Sequence, residues 1–270
     1  METVEPEYGI ITNVGKAHLQ GFGSFEGVVR TKGELYDFLR VNPSSKVFID
    51  AGNEHLMGIA NGLHLIKYST EPIEGLSVRG EVVDCAPFLH FRWTDGERWY
   101  DVNTHLIGSY NIYNMLAAAT IGLHFGVKPE EICHALSSYE PSNNRSQLTE
   151  TQHNHLIVDA YNANPTSMAA ALRNFRDMQV EPKMAILGDM RELGESSEEE
   201  HQKVVDFLAE AGLTNTWLVG EAFGKTNTSL RKFADIDEVK AAIADNQPQG
   251  YYILIKGSNG IKLYQLPEML

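Results

Sequence analysis

The second half of the chain alternates short apolar segments with longer segments of helical periodicity, and this alternation restricts the possible folds most. The apolar segments have the length and β-branched content of buried strands, and helical runs separate them. The pattern predicts strands and helices in turn at residues 156–160, 168–178, 184–187, 198–211, 216–219, 237–243 and 252–255. Such alternation is typical of an α/β fold, here a doubly wound parallel sheet with right-handed crossovers.

The first half combines two patterns. Residues 8–14 and 47–50 have the composition of buried strands, and Ser24 is placed to cap a helix after the first of them. From residue 65 to residue 106 the residues alternate instead, with an Asp95-Gly96 turn between two alternating runs. We therefore expect a parallel sheet with a small antiparallel sheet beside it.

A length of 270 residues allows about two domains. The stretch at residues 139–144 is polar, rich in turn-forming residues and contains a proline, as domain linkers often do. It predicts one domain at residues 1–140 and a second at residues 141–270.

Composition excludes several classes of function. The formal net charge of -14 disfavours nucleic acid or an anionic membrane as the main partner. No apolar run is long enough to span a bilayer, and residues 1–7 are acidic, unlike a signal peptide, so we expect a cytoplasmic protein. Two cysteines are too few for a disulfide framework, and we expect both Cys85 and Cys133 to be buried.

The loop after the apolar run at residues 155–158 carries the most polar functional groups. It reads Asp159-Ala160-Tyr161-Asn162-Ala163-Asn164-Pro165 and leads into the helix predicted at residues 168–178. In open α/β sheets, ligands bind at the carboxyl ends of strands, where these side chains would gather. Asparagine, proline and serine are also common in turns and helix caps, so this pattern by itself leaves both interpretations open.

Three motifs resemble the Mur ligase family. Asp-x-Tyr-Asn-Ala-Asn-Pro-x-Ser-Met at residues 159–168 is similar to the motif of the branch that adds D-alanyl-D-alanine to UDP-N-acetylmuramoyl tripeptide. Ile-Thr-Asn-Val-Gly-x-Ala-His-Leu-x-x-Phe-Gly at residues 11–23 and Asn-x-x-Asn-x-x-Ala-Ala at residues 111–118 resemble motifs of the central domain. The resemblance implies an amide ligase with ATP and Mg²⁺ as cofactors and these two compounds as substrates. It also implies a partial central ATPase domain followed by a complete Rossmann-like carboxy-terminal domain.

For the first domain, the resemblance implies that His18 and a carbamylated Lys32 hold magnesium. It also implies that Asn111 and Asn114 lie beside the adenine, with Asn114 the better candidate. Without the resemblance, His18 reads as a hydrogen-bonding loop residue, Lys32 as a solvated helix lysine, and the asparagines as capping and packing residues.

For the second domain, the resemblance implies that Arg145 faces the nucleotide phosphates and that Asp159 accepts hydrogen bonds from the ribose. It implies contacts with the incoming dipeptide for four residues: Asn162, Asn164, Lys256 and Ser258. Two positions depart from the family, which usually has glycine where Asn144 stands and often has arginine where Asn259 stands. Gly188-Asp189 also resembles the family, but a Gly-Asp turn is a common structural device and receives no catalytic role.

No Gly-x-x-x-x-Gly-Lys-Ser/Thr phosphate-binding loop occurs in the sequence. We therefore expect a truncated ligase that is inactive alone. The sequence leaves the oligomeric state open, and for the full-length protein we expect a monomer. Two alternatives remain open: an amide ligase of the folylpolyglutamate or cyanophycin type, and a non-catalytic binding module derived from a ligase.

Overall fold

The computed structural model describes residues 5–15, 19–141 and 147–270. The chain divides into two compact units. The first comprises Met1–His105 and Ser109–Tyr139, and the second comprises Leu106–Gly108 and Glu140–Leu270.

The described part of the first unit is built on a six-stranded sheet in the order β1-β2-β3-β4-β5-β6. Its strands are β1 (Tyr8–Ile10), β2 (Lys46–Asp50), β3 (His64–Ser69), β4 (Val78–Cys85), β5 (Phe88–Thr94) and β6 (Trp99–Ile107). Its helices are α1 (Leu19–Phe22), α2 (Phe25–Arg40), α3 (Glu54–Ile59), α4 (Ile112–His124) and α5 (Pro129–Ser138). Strands β1 to β4 are parallel, and β5 runs antiparallel to β4.

Helix α2 begins where the sequence predicts it. The Ser24 hydroxyl accepts a hydrogen bond from the Gly27 backbone N–H at 3.1 Å, which satisfies one of the free donors at the helix start. Tyr36 and Leu39 then pack with Val47 and Ile49 of β2 in one buried cluster. Burial of this apolar face holds α2 against the sheet.

Three details of this unit differ from expectation. The antiparallel strands continue the parallel sheet instead of forming a second sheet, because β4 pairs with β3 on one side and with β5 on the other. Strand β1 ends at Ile10, four residues earlier than predicted. Cys85 at the end of β4 and Cys133 on α5 are only half-buried, so neither is enclosed as expected, and they form no disulfide with each other.

The described part of the second unit is also built on a six-stranded sheet, in the order β11-β10-β9-β12-β8-β7. Its strands are β7 (Gln147–Glu150), β8 (His155–Asp159), β9 (Lys183–Gly188), β10 (Thr216–Val219), β11 (Arg231–Phe233) and β12 (Tyr252–Lys256). Its helices are α6 (Pro165–Asp177), α7 (Ser197–Glu210), α8 (Glu221–Gly224) and α9 (Ile236–Asp245). All neighbouring strands are parallel except β7, which runs antiparallel to β8 at one edge.

The α/β fold class and the alternation of strands and helices in this unit are confirmed. Strand β12 lies at the centre of the sheet, where it pairs with β8 on one side and with β9 on the other. The carboxyl ends of β8, β12 and β9 are therefore adjacent, and the loops that follow them meet at one edge of the sheet.

A histidine links three strands of the first unit and gives a pH-dependent prediction. His90 on β5 contacts Asp101 Oδ1 on β6 through Nε2 at 2.6 Å and Asp84 Oδ2 on β4 through Nδ1 at 3.1 Å. The hydrogen bonds to Asp101 and then to Asp84 raise the pKa of His90 above its ordinary value of 6.5. A raised pKa in the folded state stabilises the fold below pH 6.5, and this contribution is lost as the pH rises through the folded pKa.

We expect the thermal midpoint to fall as the pH is raised from about 6 through the pKa of His90. In the His90→Gln variant this dependence should disappear, because glutamine carries no titrating proton. Differential scanning calorimetry of both proteins across this range measures the effect. An equal slope in the two proteins would show that another group is responsible.

Candidate functional site

The polar side chains of the second unit meet at the carboxyl edge of its sheet. Asp159 is the last residue of β8, Lys256 the last of β12 and Gly188 the last of β9. Lys256 is paired in register with Asp159, so the two side chains leave neighbouring parallel strands on the same face. The fold therefore brings together two candidate residues that are 97 positions apart in the sequence.

Lys256 and Asp159 form an ion pair in the interior of this edge. The Lys256 ammonium donates to Asp159 Oδ2 at 2.5 Å and lies 3.5 Å from the Asn162 carbonyl oxygen. The side chain of Lys256 is only 1% exposed, and that of Asp159 is 17% exposed. A lysine removed from water in this way is costly to bury unless an anion compensates its charge, so each partner holds the other in place.

The asparagines of the loop after β8 also shape its backbone. Asn162 Oδ1 accepts from the Ala163 N–H at 2.9 Å. Asn164 is the N-cap of α6: its Oδ1 accepts from the Ser167 N–H at 2.9 Å, while Ser167 Oγ accepts from the Asn164 N–H. The two interpretations of this loop are thus compatible, since Asn164 acts as a helix cap within a loop that also carries the buried ion pair.

Ser258 connects the three loops of this edge. Its hydroxyl oxygen accepts from the Arg191 N–H at 2.8 Å and lies 3.5 Å from the Ala163 carbonyl oxygen, to which it can donate. Its own N–H donates to the Asp189 carbonyl oxygen at 3.1 Å. Ser258 is buried, and its hydroxyl helps to set the geometry of the three loops.

His201 supports the loop after β9, although no motif in the sequence singles it out. His201 lies on α7 and is fully buried. Its Nδ1 donates to the Ser197 carbonyl oxygen at 2.6 Å, and its Nε2 accepts from the Met190 N–H at 3.0 Å. A lone histidine on an amphipathic helix carries no signal in one sequence that distinguishes it from a core residue.

Asp189 has the structural role expected of the Gly-Asp turn. Its two carboxylate oxygens accept from the Ala222 and Phe223 N–H groups, each at 2.9 Å, at the start of α8. The carboxylate therefore caps a helix and connects β9 to the loop after β10.

In the first unit, Lys32 lies on α2 with its ammonium 2.9 Å from the Asn13 carbonyl oxygen, in the segment after β1. The side chain is half-buried, and burial lowers the pKa of Lys32 below its usual range. A lowered pKa increases the fraction of uncharged amine at neutral pH, and this is the form of lysine that reacts as a nucleophile.

Asn111 and Asn114 share one face at the start of α4, as predicted. Asn114 Nδ2 donates to Asn111 Oδ1 at 3.1 Å. Asn111 is buried and Asn114 is exposed, so Asn114 is the residue that a base could reach.

His18 and Arg145 lie outside the described residues. Within the described ranges, no group of three or more His, Cys, Asp or Glu side chains is arranged to hold a metal ion. No helix in that part of the chain is long and apolar enough to cross a membrane.

Two family models match the chain. The Mur ligase middle domain matches residues 1–122, and the Mur ligase glutamate ligase domain matches residues 144–259. A UDP-N-acetylmuramoyl-tripeptide–D-alanyl-D-alanine ligase from Bacillus subtilis is 29% identical over 276 residues, which cover 98% of this chain and 59% of the relative. The chain thus spans about three fifths of the length of the curated relatives that it matches.

Solved structures agree with these matches. The crystal structure of MurF from Acinetobacter baumannii is 28% identical with a TM-score of 0.83, covering 97% of this chain and 59% of that one. The MurF ligase from Thermotoga maritima, solved in complex with ADP, covers 99% and 62% of the two chains with a TM-score of 0.84. At 19% identity, this second likeness concerns the fold alone.

Proposed function

The chain belongs to the Mur ligase family, and from that premise we propose that it serves an ATP-dependent ligase that adds D-alanyl-D-alanine to UDP-N-acetylmuramoyl tripeptide. The observation that carries the proposal is the loop at residues 159–168, whose Asp159 is paired with Lys256 at the carboxyl edge of the second sheet. The motif resembles the D-alanyl-D-alanine-adding branch, and relatives with that printed name match nearly the whole chain.

The proposed reaction has two steps. ATP transfers its terminal phosphoryl group to the carboxylate of the tripeptide, which gives an acyl phosphate and ADP. The amine of the dipeptide then attacks the acyl carbon, and the tetrahedral intermediate loses phosphate and a proton to leave an amide. A carboxylate is a poor acyl donor and its phosphate a good one, so the protein contributes mainly positioning and charge neutralisation.

In this scheme the second unit binds both nucleotide and dipeptide. Asp159 would accept from the ribose hydroxyls, Arg145 would contact the phosphates, and Asn162 with the loop from Lys256 to Ser258 would face the dipeptide. Asn164 would act through its cap on α6. The domain boundary near residue 140 and the cytoplasmic location remain predictions of the same scheme.

In the first unit, we propose that Lys32 is carbamylated and that, with His18, it supports a magnesium ion. The fit rests on the half-buried position of Lys32, whose Nζ lies 2.9 Å from the Asn13 carbonyl oxygen, together with its lowered pKa. The uncharged amine adds to CO₂ and releases a proton to give a carbamate. A carbamate offers two hard oxygens in place of a repelling ammonium. When bound, Mg²⁺ would neutralise phosphate charge. Asn114 would pair with the adenine edge.

We expect the complete gene product to prefer D-alanyl-D-alanine over single amino acids by at least about 100-fold in kcat/KM. A site shaped for a dipeptide leaves polar groups unpaired with a shorter amine. The assay measures ATP-dependent phosphate release with UDP-N-acetylmuramoyl tripeptide and a panel of amines. Residues 1–270 alone serve as the negative control, because their sequence has no phosphate-binding loop. Preference for a single amino acid, or for a folate or cyanophycin acceptor, would refute the proposal.

A further inference from the structure

Arg191 places a guanidinium at the carboxyl edge of the second sheet. It follows β9 by three residues, is exposed, and its Nη2 donates to the Gly260 carbonyl oxygen at 3.3 Å. Within the described residues, no carboxylate lies within salt-bridge distance of this guanidinium. In a chain of net charge -14, an arginine without an acidic partner is an available site for an anion.

The guanidinium is held in place from two directions. The Arg191 backbone N–H donates to Ser258 Oγ at 2.8 Å, which ties the start of the side chain to the loop after β12. The bond from Nη2 to Gly260 ties its end to the same loop. A long, flexible side chain fixed at both ends has lost much of its rotamer freedom before a ligand arrives, and this lowers the entropic cost of binding.

Gly260 provides the space for this arrangement. A Cβ atom at position 260 would collide with Nη1 and Cζ of Arg191. The glycine is needed for room and not for its backbone conformation, since its φ angle is not in the left-handed region. A side chain at position 260 would therefore displace the guanidinium from its present place.

Lys256, the cation at the end of β12, is already neutralised. Lys256 is paired with Asp159 and buried, so it is not free to take a second carboxylate. Asn259, which follows Ser258 in the same loop, is neutral. Arg191 reaches the same loop from β9 and supplies a positive charge beside it.

We propose that Arg191 binds the terminal carboxylate of the incoming dipeptide. The inference rests on the proposed function, in which the acceptor has a reacting amine at one end and an anionic carboxylate at the other. A planar guanidinium matches a carboxylate with two parallel N–H···O hydrogen bonds. Arg191 thereby orients the acceptor while the amine attacks. It selects acceptors whose carboxylate lies as far from the reacting amine as it does in the dipeptide.

The test compares D-alanyl-D-alanine with its carboxamide, D-alanyl-D-alaninamide, in the complete gene product. In Arg191→Gln, KM for the dipeptide should rise about 10- to 100-fold, the range expected for a lost hydrogen bond to a charged group. The value of kcat at saturation should change less than about threefold, and KM for the amide should stay the same. Arg173→Gln is the matched control, because Arg173 is an arginine of α6 that bonds the Ala169 carbonyl oxygen within its own helix.

A second variant separates geometry from charge. Gly260→Ala retains Arg191 but displaces its guanidinium, so KM for the dipeptide should rise while KM for the amide does not. Adding Asn259→Arg to Arg191→Gln should restore part of the preference for the carboxylate. If Arg191→Gln changes KM for dipeptide and amide equally, this inference is wrong while the proposed function stands. If the wild-type enzyme does not ligate the dipeptide at all, both this inference and the proposed function are wrong.

Discussion

Replacing Lys256 with methionine in the complete gene product is expected to lower the proposed ligase activity by about 1,000-fold or more and to destabilise the second unit. Methionine fills a similar volume but leaves the Asp159 carboxylate without its partner at a largely buried position. Loss of one member of a buried ion pair costs about 3–5 kcal/mol, because the remaining charge is uncompensated. Displacement of Asp159 would also remove the group proposed to hold the ribose, so positioning of the nucleotide fails with it.

Two measurements separate these effects. Urea denaturation gives the change in the free energy of unfolding, and steady-state assays at a temperature where the variant remains folded give the change in kcat/KM. The double variant Lys256→Met with Asp159→Asn should recover much of the stability without recovering activity. Lys183→Met is the control, since Lys183 is the first residue of β9 and lies at the amino ends of the strands, away from Lys256. Wild-type stability and activity in Lys256→Met would contradict the assignment.

Replacing Lys32 with alanine in the complete gene product is expected to lower the proposed ligase activity by about 1,000-fold, with partial recovery on addition of formate or acetate. The small carboxylate would occupy the volume of the missing carbamate and supply its oxygens. Burial lowers the pKa of Lys32 and so favours the uncharged amine, which is the form that reacts with CO₂. Because the carbamate is made from CO₂, the wild-type enzyme should also lose activity when bicarbonate is removed.

The assay for Lys32 compares activity with and without added formate, at high and at low bicarbonate. Lys225→Ala is the control, because Lys225 is an exposed lysine paired with Glu221 on the surface. Mass spectrometry under CO₂ tests the modification directly. Full activity of Lys32→Ala at low bicarbonate would exclude a carbamate.

The sequence predicts the local structure of this chain better than it predicts which distant residues come into contact. Ser24 and Asn164 cap helices where their residue types and positions indicate, because a cap depends only on residues three or four positions away. The alternation in the second half likewise identifies the strands β8, β9, β10 and β12. Helix α3 is not predicted because it is short and its apolar pattern is weak. Strand β7 is not predicted because it has only four residues and three of them are polar.

The contacts that build the candidate site depend on strand order, which local patterns do not encode. Lys256 meets Asp159 only because β12 lies beside β8. Arg191 reaches Gly260 only because β9 lies on the other side of β12. The motifs therefore identify Asp159 and Lys256 as candidates by resemblance, whereas Arg191 and His201 become visible only when the loops are placed together.

The central position of β12 also has a consequence for biosynthesis. Lys256 follows Asp159 by 97 residues, so at ordinary rates of translation β8 leaves the ribosome about 5–20 seconds before its neighbour β12 is made. During that interval the nascent chain holds two separate groups of strands, β7 with β8 and β9 to β11, each with an apolar edge that has no partner. Such edges are sites for aggregation, and chaperones bind exposed apolar segments of this kind. Rare codons before residue 252 would lengthen the interval, and the yield of folded protein in cells would fall with it.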